Sequence, residues 1–163
     1  MNPSPLELER YFFTKVHVDA ITGSSSKATS TVKAAVNLKQ RVDDKRRFLV
    51  QVDVTISATA HEPAQYRGDI SVVGYFKVDP SYQKDPAELA GRNGAAILYS
   101  AAREMLANIT ARGPWPTFAL PWFSFKTLSI VQSGKTSKSG RGSAQISESV
   151  VTKSSRTTKT VRS

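Results

Sequence analysis

Between Pro114 and Phe125 the chain reads PWPTFALPWFSF, setting Trp115, Phe118, Leu120, Trp122, Phe123 and Phe125 among Pro114, Pro116 and Pro121. Proline fixes φ and lacks a backbone donor, so this segment resists both helix and central strand. Large apolar side chains on such a backbone either staple it over a core or line a groove. A groove with aromatic walls binds extended apolar polypeptide by burial, worth about 25 cal/mol per Å², with little sequence selectivity. Such binding needs neither a nucleotide nor a catalytic group.

The remaining candidates for chemistry are weak. His17 falls on the polar side of an alternating stretch and His61 in a turn, and neither has a partner at metal or triad spacing. Gly134-Lys135-Thr136 matches the end of a phosphate-binding loop, but Ser129 stands where its first glycine is required. Asp43-Asp44 lies in a hairpin turn, where carboxylates serve the backbone. The chain has no cysteine, which removes disulfides, thiolate metal sites and thiol nucleophiles. We expect no catalytic residue, metal or cofactor, and a protein that is not an enzyme.

The formal net charge is +10 over 163 residues, and its distribution is uneven. Residues 1–125 carry 15 Lys/Arg against 12 Asp/Glu, whereas residues 126–163 carry 8 against Glu148 alone. The Ser/Thr/Lys/Arg-rich end buries too little surface to offset ordering entropy, so we read 1–128 as one folded domain and 129–163 as a basic, disordered tail. The tail solubilises or offers a weak phosphate- or partner-binding arm. A basic nucleic-acid-associated protein is the alternative of another class; it rests on the tail alone, because the folded part lacks a basic and aromatic stacking surface. No run of about 18 apolar residues and no leader-like start occur, so membrane insertion is not expected and a cytoplasmic protein is.

Elements that could position the aromatic segment are legible upstream. Leu6, Leu8, Phe12, Val16 and Val18 alternate with polar residues; so do Val32, Ala34, Val36 and Leu38, then Phe48, Val50, Val52, Val54 and Ile56, then Ile70, Val72, Phe76 and Val78. Period-two alternation in four segments predicts a four-stranded antiparallel sheet with one apolar face. A short helix around Pro86–Leu89 and a long one from Gly94 to Arg112 follow, giving an α+β fold with helices on one face. Ile97, Ala101, Met105 and Ile109, with Leu98, Ala102 and Leu106 beside them, make the long helix apolar over more than half its circumference. Gly113 is read as its left-handed cap and Pro114 as its stop.

Leu98-Tyr99, Ala102-Arg103-Glu104, Arg112-Gly113, Trp115-Pro116, Leu120-Pro121 and Phe125, together with Leu8-Glu9-Arg10-Tyr11, Thr14-Lys15 and Val73-Gly74-Tyr75-Phe76-Lys77-Val78, resemble the SecB-type protein-export chaperones over roughly residues 6–125. The resemblance implies a dimer of dimers with Leu98, Ala102, Met105 and Ile109 at the oligomer interface. It also implies unfolded polypeptide clients bound by Gly68, Ile70 and Val72 and by Trp115, Phe118, Leu120, Trp122, Phe123 and Phe125. Members deliver clients to the motor SecA through acidic residues on the outer sheet surface. Here Val16 and Ala20 stand where acids are usual and only Asp69 is retained, beside Arg67, so the resemblance implies weakened SecA docking and leaves room for a dedicated client such as an antitoxin.

A helix apolar on so many sides needs a second cover besides its own sheet, and the first strand offers a pairing edge. Light scattering at micromolar concentration is expected to give a tetramer. A monomer there contradicts the assembly.

Overall fold

The computed structural model describes residues 4–24, 28, 30–58, 64–125 and 144–146. Four long strands come first: β1 (Leu6–Ala20), β2 (Ser30–Gln40), β3 (Arg47–Ala58) and β4 (Tyr66–Val78). The helix α1 (Pro86–Thr110) follows, and then a short β5 (Ala144–Ile146). All pairings are antiparallel and the order is β1-β4-β3-β2-β5. β2, β3 and β4 form a meander while β1 returns beside β4, a Greek-key order.

Alternation works as expected in the three inner strands. Val32, Ala34, Val36 and Leu38 of β2, Phe48 through Ile56 of β3, and Ile70, Val72, Phe76 and Val78 of β4 are buried on the helix side. In β1 the register skips between Leu8 and Arg10 and again between Phe13 and Lys15. Each skip is a bulge that turns the following side chains over. Phe12 therefore departs from the apolar set assigned to it: it pairs with Val73 on the outer face and lies 6.2 Å from the Tyr75 ring. Tyr11 and Phe13 take the helix side instead, with ring centroids 6.3 Å apart.

The two expected helices are one. Asp85 caps α1 by accepting from Ala87 N at 2.8 Å, Pro86 opens its first turn, and Glu88 pairs with Arg92 one turn on. Gly91 and Gly94 do not interrupt it, because both are buried against the sheet, where lack of a side chain is an advantage. A Cβ at Gly94 would lie 3.1 Å from both Phe76 Cε2 and Val50 Cγ2. Nor is Gly113 left-handed: among the described glycines only Gly23 has positive φ. Gly113 is required by space, since a Cβ there would lie 2.5 Å from the Tyr66 hydroxyl.

The sequence predicts a disordered tail. Within it, Ala144–Ile146 pair with Val36, Ala35 and Ala34 on the free edge of β2; the rest of 129–163, including Gly134-Lys135-Thr136, lies outside the described residues, as does His61.

Gly68 separates two kinds of glycine constraint. A Cβ there would lie 2.0 Å from the His17 carbonyl oxygen, which belongs to backbone and cannot step aside. Gly68→Ala is expected to cost about 3 kcal/mol, the upper range for overpacking. Gly94→Ala is expected to be within about 1 kcal/mol of the parent, because the gain in helix propensity offsets the tight contact. Urea unfolding of the two variants checks the contrast; equal losses would contradict it.

Candidate functional site

Past the end of α1 the chain turns back along the helix as a strap, residues 114–125, that belongs to no helix or strand. Its three prolines lack donors, and side chains of the folded body hold the remaining backbone. The Tyr66 hydroxyl donates to the Trp115 carbonyl at 3.0 Å and accepts from Trp115 N at 3.3 Å. Thr110 Oγ1 accepts from Phe118 N at 3.0 Å. Arg103 Nε donates to the Leu120 carbonyl at 3.2 Å, and the Tyr99 hydroxyl to the Pro121 carbonyl at 2.8 Å. Trp115 Nε1 reaches back to the Ile21 carbonyl at 3.1 Å.

This anchoring sorts the aromatic residues. Leu120 and Phe125 are buried in the core, and Tyr99 meets Phe123 and Phe125 edge-on at 5.3 and 5.7 Å. Trp115, Phe118 and Phe123 are half-buried, Phe118 standing edge-on to Tyr66 at 6.3 Å. Trp122 is 81% exposed, its ring 3.6 Å from the Arg103 guanidinium carbon. The six residues expected to line a groove are thus two core residues, three half-buried flanks and one presented ring.

The other expected client residues are elsewhere. Gly68, Ile70 and Val72, expected at a client surface, lie on the helix side of β4 and are covered within the core of the chain. Leu98 and Ala102, expected at an oligomer interface, are likewise buried, on the face of α1 turned to the core. Met105 and Ile109 remain half-buried, on a ridge with Ile97 and Ala101 along the flank of α1 opposite Tyr99 and Arg103.

The two flanks of α1 differ in cover. On the flank that carries Tyr99 and Arg103 the strap is bonded along the helix, and the helix-side residues of β2 are buried. On the helix side of β1, Tyr11 and Val16 are exposed and Phe13 and Val18 only partly covered, and on α1 Ile97 is exposed as well. Sequence periodicity missed Tyr11 and Phe13 because the β1 bulges carry no strong local signal.

The outer sheet face is polar and largely self-paired. Lys15 meets Asp69 at 3.2 Å, Arg67 meets Asp19 at 3.2 Å, and His17 Nε2 lies 3.3 Å from Asp19. Hydrogen bonds from Lys15, and secondarily Thr55, hold the Asp69 carboxyl below its usual range. A cavity of about 320 Å³ opens on this face among Glu9, Lys39, Arg41, Arg47, Leu49 and Tyr75, and includes none of the strap residues. Among the described residues no three His, Asp or Glu side chains gather at metal-binding distance, and no helix is long and apolar enough to cross a membrane.

The family model described as preprotein translocase subunit SecB matches residues 7–135. The protein-export protein SecB of Alcanivorax borkumensis is 28% identical over 94 residues, which are 56% of this chain and 60% of that relative's length. Among solved structures, a SecB-like chaperone of Mycobacterium tuberculosis in complex with a ChAD peptide from the HigA1 antitoxin superposes with TM-score 0.58 at 15% identity, covering 74% of this chain and 91% of that one. A protein of unknown function from Streptococcus agalactiae matches at TM-score 0.45 and 14% identity, over 72% of this chain and 97% of that one.

Burial raises the Tyr99 phenol above its ordinary range, while Arg103 opposes the shift. A raised folded-state value favours the neutral donor, so this contribution to stability is complete below the ordinary phenol value of about 10 and is lost as pH rises above it. Tyr99→Phe is expected to cost about 1 kcal/mol at neutral pH, by removing the bond to Pro121, and to flatten the alkaline loss. Thermal unfolding from pH 8 to 11.5 measures both; an unchanged alkaline slope in the variant would assign the loss to other groups.

Proposed function

The chain belongs to the SecB family, and on that premise we propose that it is a nucleotide-independent chaperone that holds unfolded or nascent polypeptide against the strap. The observation that carries this is the contrast within the strap: Leu120 and Phe125 are locked into the core while Trp122, two residues on from Leu120, is held out in solvent. Exposed indole with half-buried Trp115, Phe118 and Phe123 along the same strap offers contact to apolar side chains that does not depend on their order. The backbone under it is already ordered, so little is lost when a client settles.

Assembly fits the opposite flank. The open edge of β1, exposed Tyr11 and Val16, and the Ile97–Met105–Ile109 ridge form an apolar surface that a second copy would cover, leading to the proposed homotetramer. Client contact and self-association would then use different sides of α1. Two delivery routes follow from the family, general export through SecA or service to one client. The second is favoured by the antitoxin peptide bound to the mycobacterial relative and by the ion pairs that already occupy Asp19 and Asp69 on the outer face.

Separate substitutions distinguish a presented ring from a core ring. Trp122→Ala is expected to weaken binding of an unfolded apolar polypeptide by about 1–2 kcal/mol and to reduce suppression of its aggregation, with thermal stability nearly unchanged. Phe125→Ala is expected to cost about 3–5 kcal/mol of stability. Calorimetric melting and client titration on the same samples check this. Unchanged client affinity in Trp122→Ala would overturn the strap as the binding surface.

A further inference from the structure

We infer that Arg103 sets client preference at the strap, holding Trp122 in its presented position and favouring segments in which an acidic residue adjoins the apolar anchor. The inference rests on the client reading of the strap. Its basis is that one side chain does two things at once: Arg103 Nε donates to the Leu120 carbonyl at 3.2 Å, and its guanidinium carbon lies 3.6 Å from the Trp122 ring centroid. The first contact fixes the guanidinium relative to the strap backbone. The second fixes an indole that is otherwise 81% exposed and would rotate freely.

A planar guanidinium suits both tasks, since it can donate in its plane while stacking on a ring with its face; a lysine ammonium cannot do both. With one face of Trp122 covered by Arg103, the other face is left for the client. A client side chain resting on that face places its chain neighbours within reach of a cation only half-covered by protein. An acidic neighbour gains there and a basic neighbour loses, each by the modest amount of a partly exposed charge pair. Glu104, the next residue along α1, is exposed but sits about 100° further round the helix, so it does not neutralise this position. The pair therefore adds a charge preference to a surface that is otherwise indifferent to sequence.

The test uses the full chain and two unfolded peptides with the same Leu/Phe anchor, one flanked by Asp and one by Lys. The unaltered protein is expected to prefer the acidic peptide about threefold at low salt, in the range of exposed pair energies, and to lose that preference when the Asp residues are moved five positions from the anchor. Because the chain is +10 overall, a preference independent of Asp position would reflect net charge and would overturn the proposal. Arg103→Gln is expected to bring the ratio close to one, whereas Lys33→Gln on the outer face, with the same charge change, keeps it. With 5-fluorotryptophan, the Trp122 signal is expected to narrow and shift in Arg103→Gln and in Arg103→Lys as the ring is released, while Trp115 stays. Trp122→Ala weakening both peptides alike, with the Arg103→Gln ratio still at the parent value, would overturn the role of Arg103 and leave the chaperone reading standing. If neither peptide binds and Trp122→Ala changes nothing, the chaperone reading itself fails.

Discussion

Everything in this molecule depends on how closely α1 can lie on β3 and β4. The helix meets the sheet through Ala87, Ala90, Gly91, Gly94, Ala95 and Ala102, with Leu98 and Leu106 as the large side chains between them. Gly74 answers from the sheet: a Cβ there would lie 2.8 Å from Leu98 Cδ2 and from Phe76 Cε2. Small residues on both sides bring the backbones together, and interior density then leaves no room to substitute them with bulk. A helix seated this low exposes its flanks instead of riding above the sheet, and the flanks are where the two contrasting surfaces arise.

On one flank Tyr99 and Arg103 reach a strap that could not hold itself. A proline-rich segment makes few backbone hydrogen bonds of its own, and buried carbonyls left unmatched would each cost about 1–3 kcal/mol. Tyr66, Tyr99, Arg103 and Thr110 supply the missing partners from elements that are already rigid. The strap can therefore be ordered without being a strand, and an ordered irregular backbone can point Leu120 inward and Trp122 outward without obeying a sheet's alternation. Prolines make the segment unfit for regular structure; the side chains of the body make it fit for a defined shape.

Much of the scaffold was legible because it rests on local periodicity. Phe48 to Ile56 alternate without a break, and an inner strand with partners on both sides has no alternative face to offer them. Errors arose where a residue's role was set from far away in sequence. Gly91 and Gly94 read locally as helix breaks, yet both are buried within α1, and Gly94 is where the helix lies against Phe76 and Val50. Gly113 reads as a left-handed cap and is instead the space that the Tyr66 hydroxyl needs. Of the candidate site, the aromatic segment was visible from composition, but its division was not: nothing local to Trp122 announces Arg103, because the pairing joins residues on different elements. Ile70 and Val72 were expected at a client surface, yet their alternation already assigned them to the same face as Phe76.

A holding chaperone faces a physical conflict: it must keep apolar surface open to clients, and open apolar surface drives self-association. On the proposed reading, two sides of one helix would divide that conflict. The β1 side offers a long apolar strip beside an unpaired strand edge, where main-chain hydrogen bonding and side-chain burial act together; such a surface rewards a partner of fixed shape, which a second copy is and an unfolded client is not. The strap side offers an indole and three half-buried rings on an irregular backbone, a surface that on this reading rewards any apolar side chain and commits to no backbone register. Placing Arg103 on the Trp122 ring would add a further restraint, since a second copy bringing its own Arg103 to that position meets like charge whereas an acidic client segment meets opposite charge. The same contact that presents the ring would thereby discourage it from being covered by its own kind.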